Sequence, residues 1–181
     1  DSSTSRGLGD VYKRQNRNDC STHPFWIPDP TKENTVENVY ELYRAVVFPW
    51  HCDHIGHMNV RWYAHHFDDA GFHLWTIAGV SQKEMHAKGV SLVVGQIKIN
   101  YVHEMNAGDL LVIRGGFSHV GGKSIQHHQR LYNADTNVLC ATQDTIEVFF
   151  DPETRTSAPM PDFYRDKLTP VSYTHLRAHE T

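Results

Sequence analysis

Four residues within one short stretch could do chemistry together. Asp53 offers a carboxylate, which can attack a carbonyl carbon or take a proton from water. Gly56 lets a turn bring backbone close to a bound molecule. His57 can hydrogen-bond or hold a proton near neutral pH. Asn59 is a preferred helix N-cap. A helix start carries unpaired amides and a favourable dipole for negative charge. A carboxylate beside such a start suits acyl transfer, which needs an attacking group and a place for an oxyanion. Each residue also has a plain structural use. Asp53 can close the turn on local amides, His57 can stiffen it, and capping is the main task of Asn59. Asp68 and Asp69, further along, are the fallback acids.

The elements that must hold this turn are legible in the periodicity. Residues 39–50 are β-branched and aromatic and predict a strand, limited by Pro49. Residues 51–58 read as a turn. Over 60–78 the apolar residues Tyr63, Phe67, Ala70, Leu74 and Ile77 recur at intervals of three or four, which predicts a helix with one buried stripe, stopped at Gly79. Such a helix spans about 28 Å. A short connection leads to four strands, at 93–102, 110–120, 123–133 and 138–150. The first of these shows one apolar face by alternation. Asn106 with Gly108-Asp109, Gly121-Gly122, and residues 135–137 supply the turns. Residues 39–151 thus form the domain, and 152–170 read as a proline-bearing tail. The order strand, long helix, four strands predicts an α+β layer architecture.

The stretch 47–70 reads VFPWHCDHIGHMNVRWYAHHFDDA. It resembles the 4-hydroxybenzoyl-CoA thioesterase-like branch of the hotdog superfamily. That pattern has a D-x-x-G-H-[MV]-N turn after the first strand, a Tyr four residues after the Asn, and an acidic pair one helical turn on. Asp53, Gly56, His57, Met58, Asn59, Tyr63, Asp68 and Asp69 occupy those places. YVHEMNAGD at 101–109 resembles the end of the family's second strand and its Gly-Asp turn. The resemblance covers roughly residues 40–150. His51, Cys52 and a histidine-rich helix face depart from it.

The resemblance implies a hotdog fold, one long central helix wrapped by a five-stranded antiparallel sheet. It implies an acyl-CoA thioesterase that releases a free acid and CoA, with Asp53 as nucleophile or general base. The oxyanion donor would be the Val60 amide in the first helical turn, with Asp69 or Asp68 as the alternative acid. Coenzyme A is part of the substrate, and no other cofactor is implied. Partners would be a second copy joined edge to edge in a homodimer, or further copies in a homotetramer, with the substrate between subunits. Tyr63 is a substrate-side candidate, although its place on the apolar stripe reads as core. Arg114, Lys123 and Arg130 could meet CoA phosphates, and each also reads as an ordinary solvated charge. A hotdog hydratase or dehydratase using His57, and a non-catalytic acyl-thioester-binding protein, stay open beside the thioesterase.

Composition excludes several other classes. The chain has 181 residues, 39% hydrophobic and 21% charged, enough for one packed domain. A net charge of -4 gives nucleic acid no basic face to bind. No apolar run is long enough for a membrane span, and no leader pattern is visible. Three cysteines, Cys20, Cys52 and Cys140, suggest a reducing, cytoplasmic compartment and not a disulfide framework. The 14 histidines invite a metal reading, since His51, Asp53, His54 and His57 crowd one turn and His65-His66 follow. All would come from one turn, and His127-His128 alternate faces of a strand, so no metal is expected. Residues 1–15 and 171–181 read as non-native tails, and 16–38 as an N-terminal arm.

Overall fold

The computed structural model describes residues 39–173. The expected tail at 1–15, the arm at 16–38 and the end of the chain from 174 lie outside the described residues. The elements are β1 (Tyr40–Val46), α1 (Val60–Ile77), α2 (Gln82–Ala87), β2 (Ser91–Tyr101), β3 (Leu110–Val120), β4 (Ser124–Asn133), β5 (Leu139–Asp151), β6 (Thr156–Ser157) and α3 (Asp162–Tyr173). The five long strands pair antiparallel in the order β1-β3-β4-β5-β2, and the two-residue β6 adds to β5.

The central helix forms where its period predicts. Asn59 caps it by accepting from the Arg61 amide. Tyr63, His66, Phe67, Ala70, Leu74 and Trp75 turn inward. They meet Leu111, Ile113 and Phe117 of β3, Ile125 and Leu131 of β4, and Phe149 of β5. Each large apolar side chain so buried stabilises the fold by about 1.5–3 kcal/mol. A sheet curled around one long helix is the hotdog arrangement.

Several local expectations change. The first strand ends at Val46, because Pro49 cannot donate to the ladder, and Pro49–His51 form a single 3-10 turn. Ile77 is exposed, and its place on the buried stripe is taken by His66 and Trp75. The connection after Gly79 contains α2, capped by Ser81. The alternation read over 93–102 is broken by a bulge between Val94 and Gln96. The bulge shifts parity, so Val94 and Ile97 face the same cavity from nominally opposite faces. As an edge strand, β2 leaves Val93, Val94 and Ile97 exposed.

The segment 152–170 is more than a tail. Its helix α3 buries Tyr164 and Leu168 in the same core as α1, and the helix continues to Tyr173, past the expected boundary at 171. Lys167 donates to the Gly79 carbonyl at 2.8 Å, beside the C-terminus of α1, and reaches Glu84 at 3.3 Å. A cation there also suits the helix dipole.

Candidate active site

The turn after β1 is assembled from short-range hydrogen bonds. Asn59 N–H donates to the His51 carbonyl at 2.9 Å, and Asp53 N–H donates to the His57 carbonyl at 3.1 Å. Gly56 sits at φ +95, a backbone region that glycine enters freely. The Met58 amide donates to the Met105 carbonyl, which pins the turn to the segment after β2. Both carboxylate oxygens of Asp53 are engaged. One accepts from the Ile55 amide at 2.9 Å and the other from Asn59 Nδ2 at 3.0 Å. Those two donors hold the carboxyl below its usual range, so it stays ionised in weak acid.

Asn59 therefore does two jobs. Its oxygen caps the helix and its nitrogen grips Asp53. The Arg61 amide goes to the Asn59 side chain and the Trp62 amide to the Asn59 carbonyl. Among the described residues the Val60 amide has no partner, and Val60 is 56% exposed. An open amide at a helix start beside a carboxylate is a suitable place for an oxyanion.

His57 pairs with Glu104 at 3.3 Å at the surface. His51 is buried, and its Nδ1 accepts from the Phe48 amide. Neither histidine joins Asp53 in a ligand set. Among the described residues, the His and carboxylate groups that converge are His65, His66 and Asp69, with ligand atoms within 4.8 Å of one another.

The two fallback acids separate. Asp69 lies 3.6 Å from His65 on α1 and beside Tyr43, whose phenol is pushed up by burial and by the Asp69 charge. Asp68 lines a cavity of about 190 Å³. That cavity lies between α1 and the inner face of the sheet, walled by Phe67, Gly71 and Trp75 of α1 and by Leu92, Val94 and Ile97 of β2. Asp68 stands eight residues beyond Val60, about 12 Å along the helix. Tyr63 is core, edge-on to Tyr101 at 5.2 Å, and burial drives its phenol well above the ordinary value.

The cavity floor was not foreseen. His127 and Gln129 of β4 and Gln143, Thr145 and Glu147 of β5 line it. Glu147 accepts from Trp75 Nε1 at 3.1 Å and meets His127 Nε2 at 3.2 Å. Gln143 donates to Thr145. Gln129 is fully buried, and neither atom of its amide has a partner within the chain. A buried polar group left so costs about 1–3 kcal/mol. The signal was present in the strand parity: Ile125 and Leu131 flank His127 and Gln129 on the same face.

Arg114 and Arg130 are cross-strand partners on the alternate face, away from this cavity. Arg114 donates to Asn137 and Arg130 lies 3.7 Å from Asp144. Lys123 is exposed in the β3–β4 turn, seven residues from Arg130, about 23 Å along an extended strand. The three cations do not form one cluster.

The chain is similar to known proteins over much of its length. Residues 47–168 match the family model of the thioesterase-like superfamily. A 1,4-dihydroxy-2-naphthoyl-CoA thioesterase from Synechocystis superposes with TM-score 0.65 at 15% identity, covering 76% of this chain and 98% of that one. The YbaW protein of Escherichia coli gives 0.64 at 24%, with coverage of 74% and 100%. A hypothetical protein from Staphylococcus aureus, solved in complex with CoA, gives 0.67 at 19%, with 76% and 88%. At these identities the likeness is one of fold. No curated protein matches the chain.

Proposed function

Since the chain belongs to the thioesterase-like superfamily, a family of thioester hydrolases, we propose that it hydrolyses an acyl-CoA to a free acid and CoA, with Asp53 at the reacting carbonyl. The observation that carries this is the Asp53–Asn59–Val60 arrangement. An ionised carboxylate is held beside an unpartnered helix-start amide.

In the direct form, an Asp53 oxygen attacks the thioester carbon. The oxyanion is held by the Val60 amide, and the C–S bond breaks to release CoA thiolate, which takes a proton from water. Water then opens the mixed anhydride to give the acid and regenerate the carboxylate. In the general-base form, Asp53 takes the proton of the attacking water instead. The acyl group occupies the cavity beside α1, and Asp68 is the second candidate acid because it lines that cavity.

The site is completed by a second copy. β2 is an open edge with Val93, Val94 and Ile97 exposed, and the cavity is lined by that same strand. Joining two β2 edges covers both and closes the cavity. Arg114, Arg130 and Lys123 are the candidate cations for CoA phosphates, and a tetramer is the larger alternative to the dimer. Among the described residues no helix is long and apolar enough to cross a membrane. Cys52 and Cys140 are free thiols, which supports a reducing compartment such as the cytoplasm.

Thiol release from a panel of acyl-CoA thioesters, followed with a thiol dye, tests the reading. Release expected from at least one member, and lost in Asp53→Asn, supports it. No release from any member sinks hydrolysis. The His57–Glu104 pair favours a hydratase as second reading, seen as loss of enoyl absorbance without free thiol. In oxygen-18 water, a single turnover leaves label in the Asp53 carboxylate only for direct attack.

A further inference from the structure

Metal ligands must converge, and the histidines of the turn at 51–58 do not. Among the described residues a different set does, on the central helix. His65 and Asp69 of α1 are four residues apart and share a face. His65 Nε2 lies 3.6 Å from Asp69 Oδ2. His66 is next to His65 and three residues from Asp69. One ligand atom from each of the three lies within 4.8 Å of the other two.

A histidine and a carboxylate at this spacing are by themselves an ordinary helix contact. His66 makes the group different. It is 3% exposed, and neither ring nitrogen has a hydrogen-bond partner among the described residues. Buried polar groups are rarely left so without something to meet them. Burial favours the neutral ring, which presents a lone pair and is the form that ligates metals. That lone pair stands beside a second imidazole and a carboxylate.

A cation among these atoms needs no further cavity, because it takes the space between them. Three points no more than 4.8 Å apart share a centre within about 2.8 Å of each, against roughly 2.0–2.2 Å for zinc bonds to nitrogen and carboxylate oxygen. Each ligand closes in by less than about 1 Å, a side-chain adjustment. The His65–Asp69 spacing of 3.6 Å is already close to the ~3.4 Å edge of a zinc tetrahedron. The two side chains are 52% and 36% exposed, so an ion has a way in and water can take the fourth position. Tyr43 of β1 stands beside Asp69 and against the His66 ring, at 5.6 Å between centroids. It packs the ligands from the strand side. His51 is also near, 5.4 Å from His66, but its Nδ1 accepts from the Phe48 amide. Its Nε2 then carries the hydrogen and has no lone pair to give.

The donor set decides the class of ion. Two imidazoles and one carboxylate suit first-row transition metals, whereas magnesium and calcium take oxygen ligands. His65 and Asp69 stand five and nine residues beyond Val60, about 7.5 and 13.5 Å along the helix. The ion's place is therefore apart from the proposed oxyanion site.

We propose that His65, His66 and Asp69 bind one divalent transition-metal ion of the zinc class per chain, on the β1 side of α1, and that the ion steadies the central helix around an otherwise unpartnered buried histidine. The site goes beyond the thioesterase reading and does not depend on it.

Zinc binding tests the proposal on the full chain, purified without a polyhistidine tag and stripped with a chelator. Zinc chloride titrated calorimetrically near neutral pH is expected to bind at a single site, with a dissociation constant in the micromolar range or tighter. His65→Ala, an exposed change, should weaken binding by about tenfold or more. His66→Phe keeps a ring in the buried place and should abolish binding, and His65→Ala keeps the test alive if His66→Phe fails to fold. Cobalt(II) is the spectroscopic probe: the visible absorption of imidazole-ligated cobalt should appear in the unaltered chain and be lost in both variants. Zinc at about 100-fold over its dissociation constant should raise the melting temperature by about 5–10 °C, and magnesium should not. Zinc binding and cobalt spectra unchanged in both variants would place the ion on other histidines and overturn the proposal. So would the lack of saturable zinc binding in the unaltered chain. Zinc bound without a rise in melting temperature overturns the steadying role. None of these outcomes is read from thiol release, so they stand or fall apart from hydrolysis.

Discussion

The turn that holds Asp53 and the sheet face that holds Gln129 are built by opposite means. In the turn, partners lie within a few residues. Asp53 is gripped by Ile55 and Asn59, and Asn59 in turn by His51 and Arg61. The polar patch on the sheet draws on two strands and a helix, and leaves a buried amide without a partner. The turn is finished in the empty protein. The turn and the polar patch are thus separate regions of the domain, since no residue of the turn lines the cavity.

The largest expected effect breaks that separation if it is false. Asp53→Asn should lower thiol release by about 1000-fold or more, since it removes nucleophile or base together. The turn should survive, because an amide oxygen still accepts from the Ile55 amide. Asp68→Asn, in the cavity, should retain more than about a tenth of the activity if its part is only in binding. Comparable losses in the two variants would merge the regions into one reacting site.

The pH response should divide them next. Burial lowers the pKa of His66 and of His128 from 6.5 to about 4. Both are neutral in the folded state above that value. The unfolded chain takes up their protons from about pH 6.5 downward, while the folded chain does not. Stability is therefore present above pH 6.5 and is lost as pH falls toward 4. Each residue contributes on the order of 3 kcal/mol at most. The Asp53 carboxyl is also held low, by the Ile55 amide and the Asn59 side chain, and stays ionised through this window. Melting temperature should thus fall between pH 6.5 and 4, while turnover by the molecules still folded keeps its Asp53-dependent rate. A rate that titrates in step with the melting curve, at temperatures where the protein is fully folded, would count against Asp53 as the ionised group.

Asn59→Ala should act on both chemistry and stability, and less on each. Loss of the cap costs about 1 kcal/mol. Loss of the Nδ2 contact frees one Asp53 oxygen, so activity should fall less than in Asp53→Asn. Thermal melts and thiol release on the same preparation check it. Full activity with the expected stability loss would make Asn59 a cap alone.

How much of this was legible follows from the same contrast. The Asn59 cap, the tight turn at Gly56 and the inward Tyr63, Phe67, Ala70 and Leu74 are local properties of sequence, and the structure has them. Ile77 is exposed because the spacing of Tyr63, Phe67, Ala70, Leu74 and Ile77 repeats every 3.5 residues and drifts around a 3.6-residue helix, and Trp75 turns inward instead. The bulge at Gly95 reverses a parity that strict alternation assumes. Helix α3 has a weak apolar pattern among its charges and owes its place to Tyr164 and Leu168 meeting a core made elsewhere. Gln129 could be found only by asking which polar residues fall on an apolar parity. Even then its lack of a partner depends on Gly71 and on strands far away in sequence.

The smallest effect sharpens the comparison most. Gly71 lies inside α1, where a glycine weakens a helix by about 1 kcal/mol relative to alanine. A Cβ there would meet Gln129 Nε2 at 3.6 Å, an ordinary contact. Gly71→Ala should therefore stabilise the fold, raising the melting temperature by about 2–4 °C. Asn59→Ala should lower it by a similar amount. Opposite signs are expected because the turn is already optimised for its own stability and the cavity is not. A helix that keeps a glycine opposite a buried, unpartnered amide forgoes stability at that position. A neutral or destabilising Gly71→Ala would mean that the glycine serves packing, and the two regions would then differ only in how far apart their residues lie in sequence.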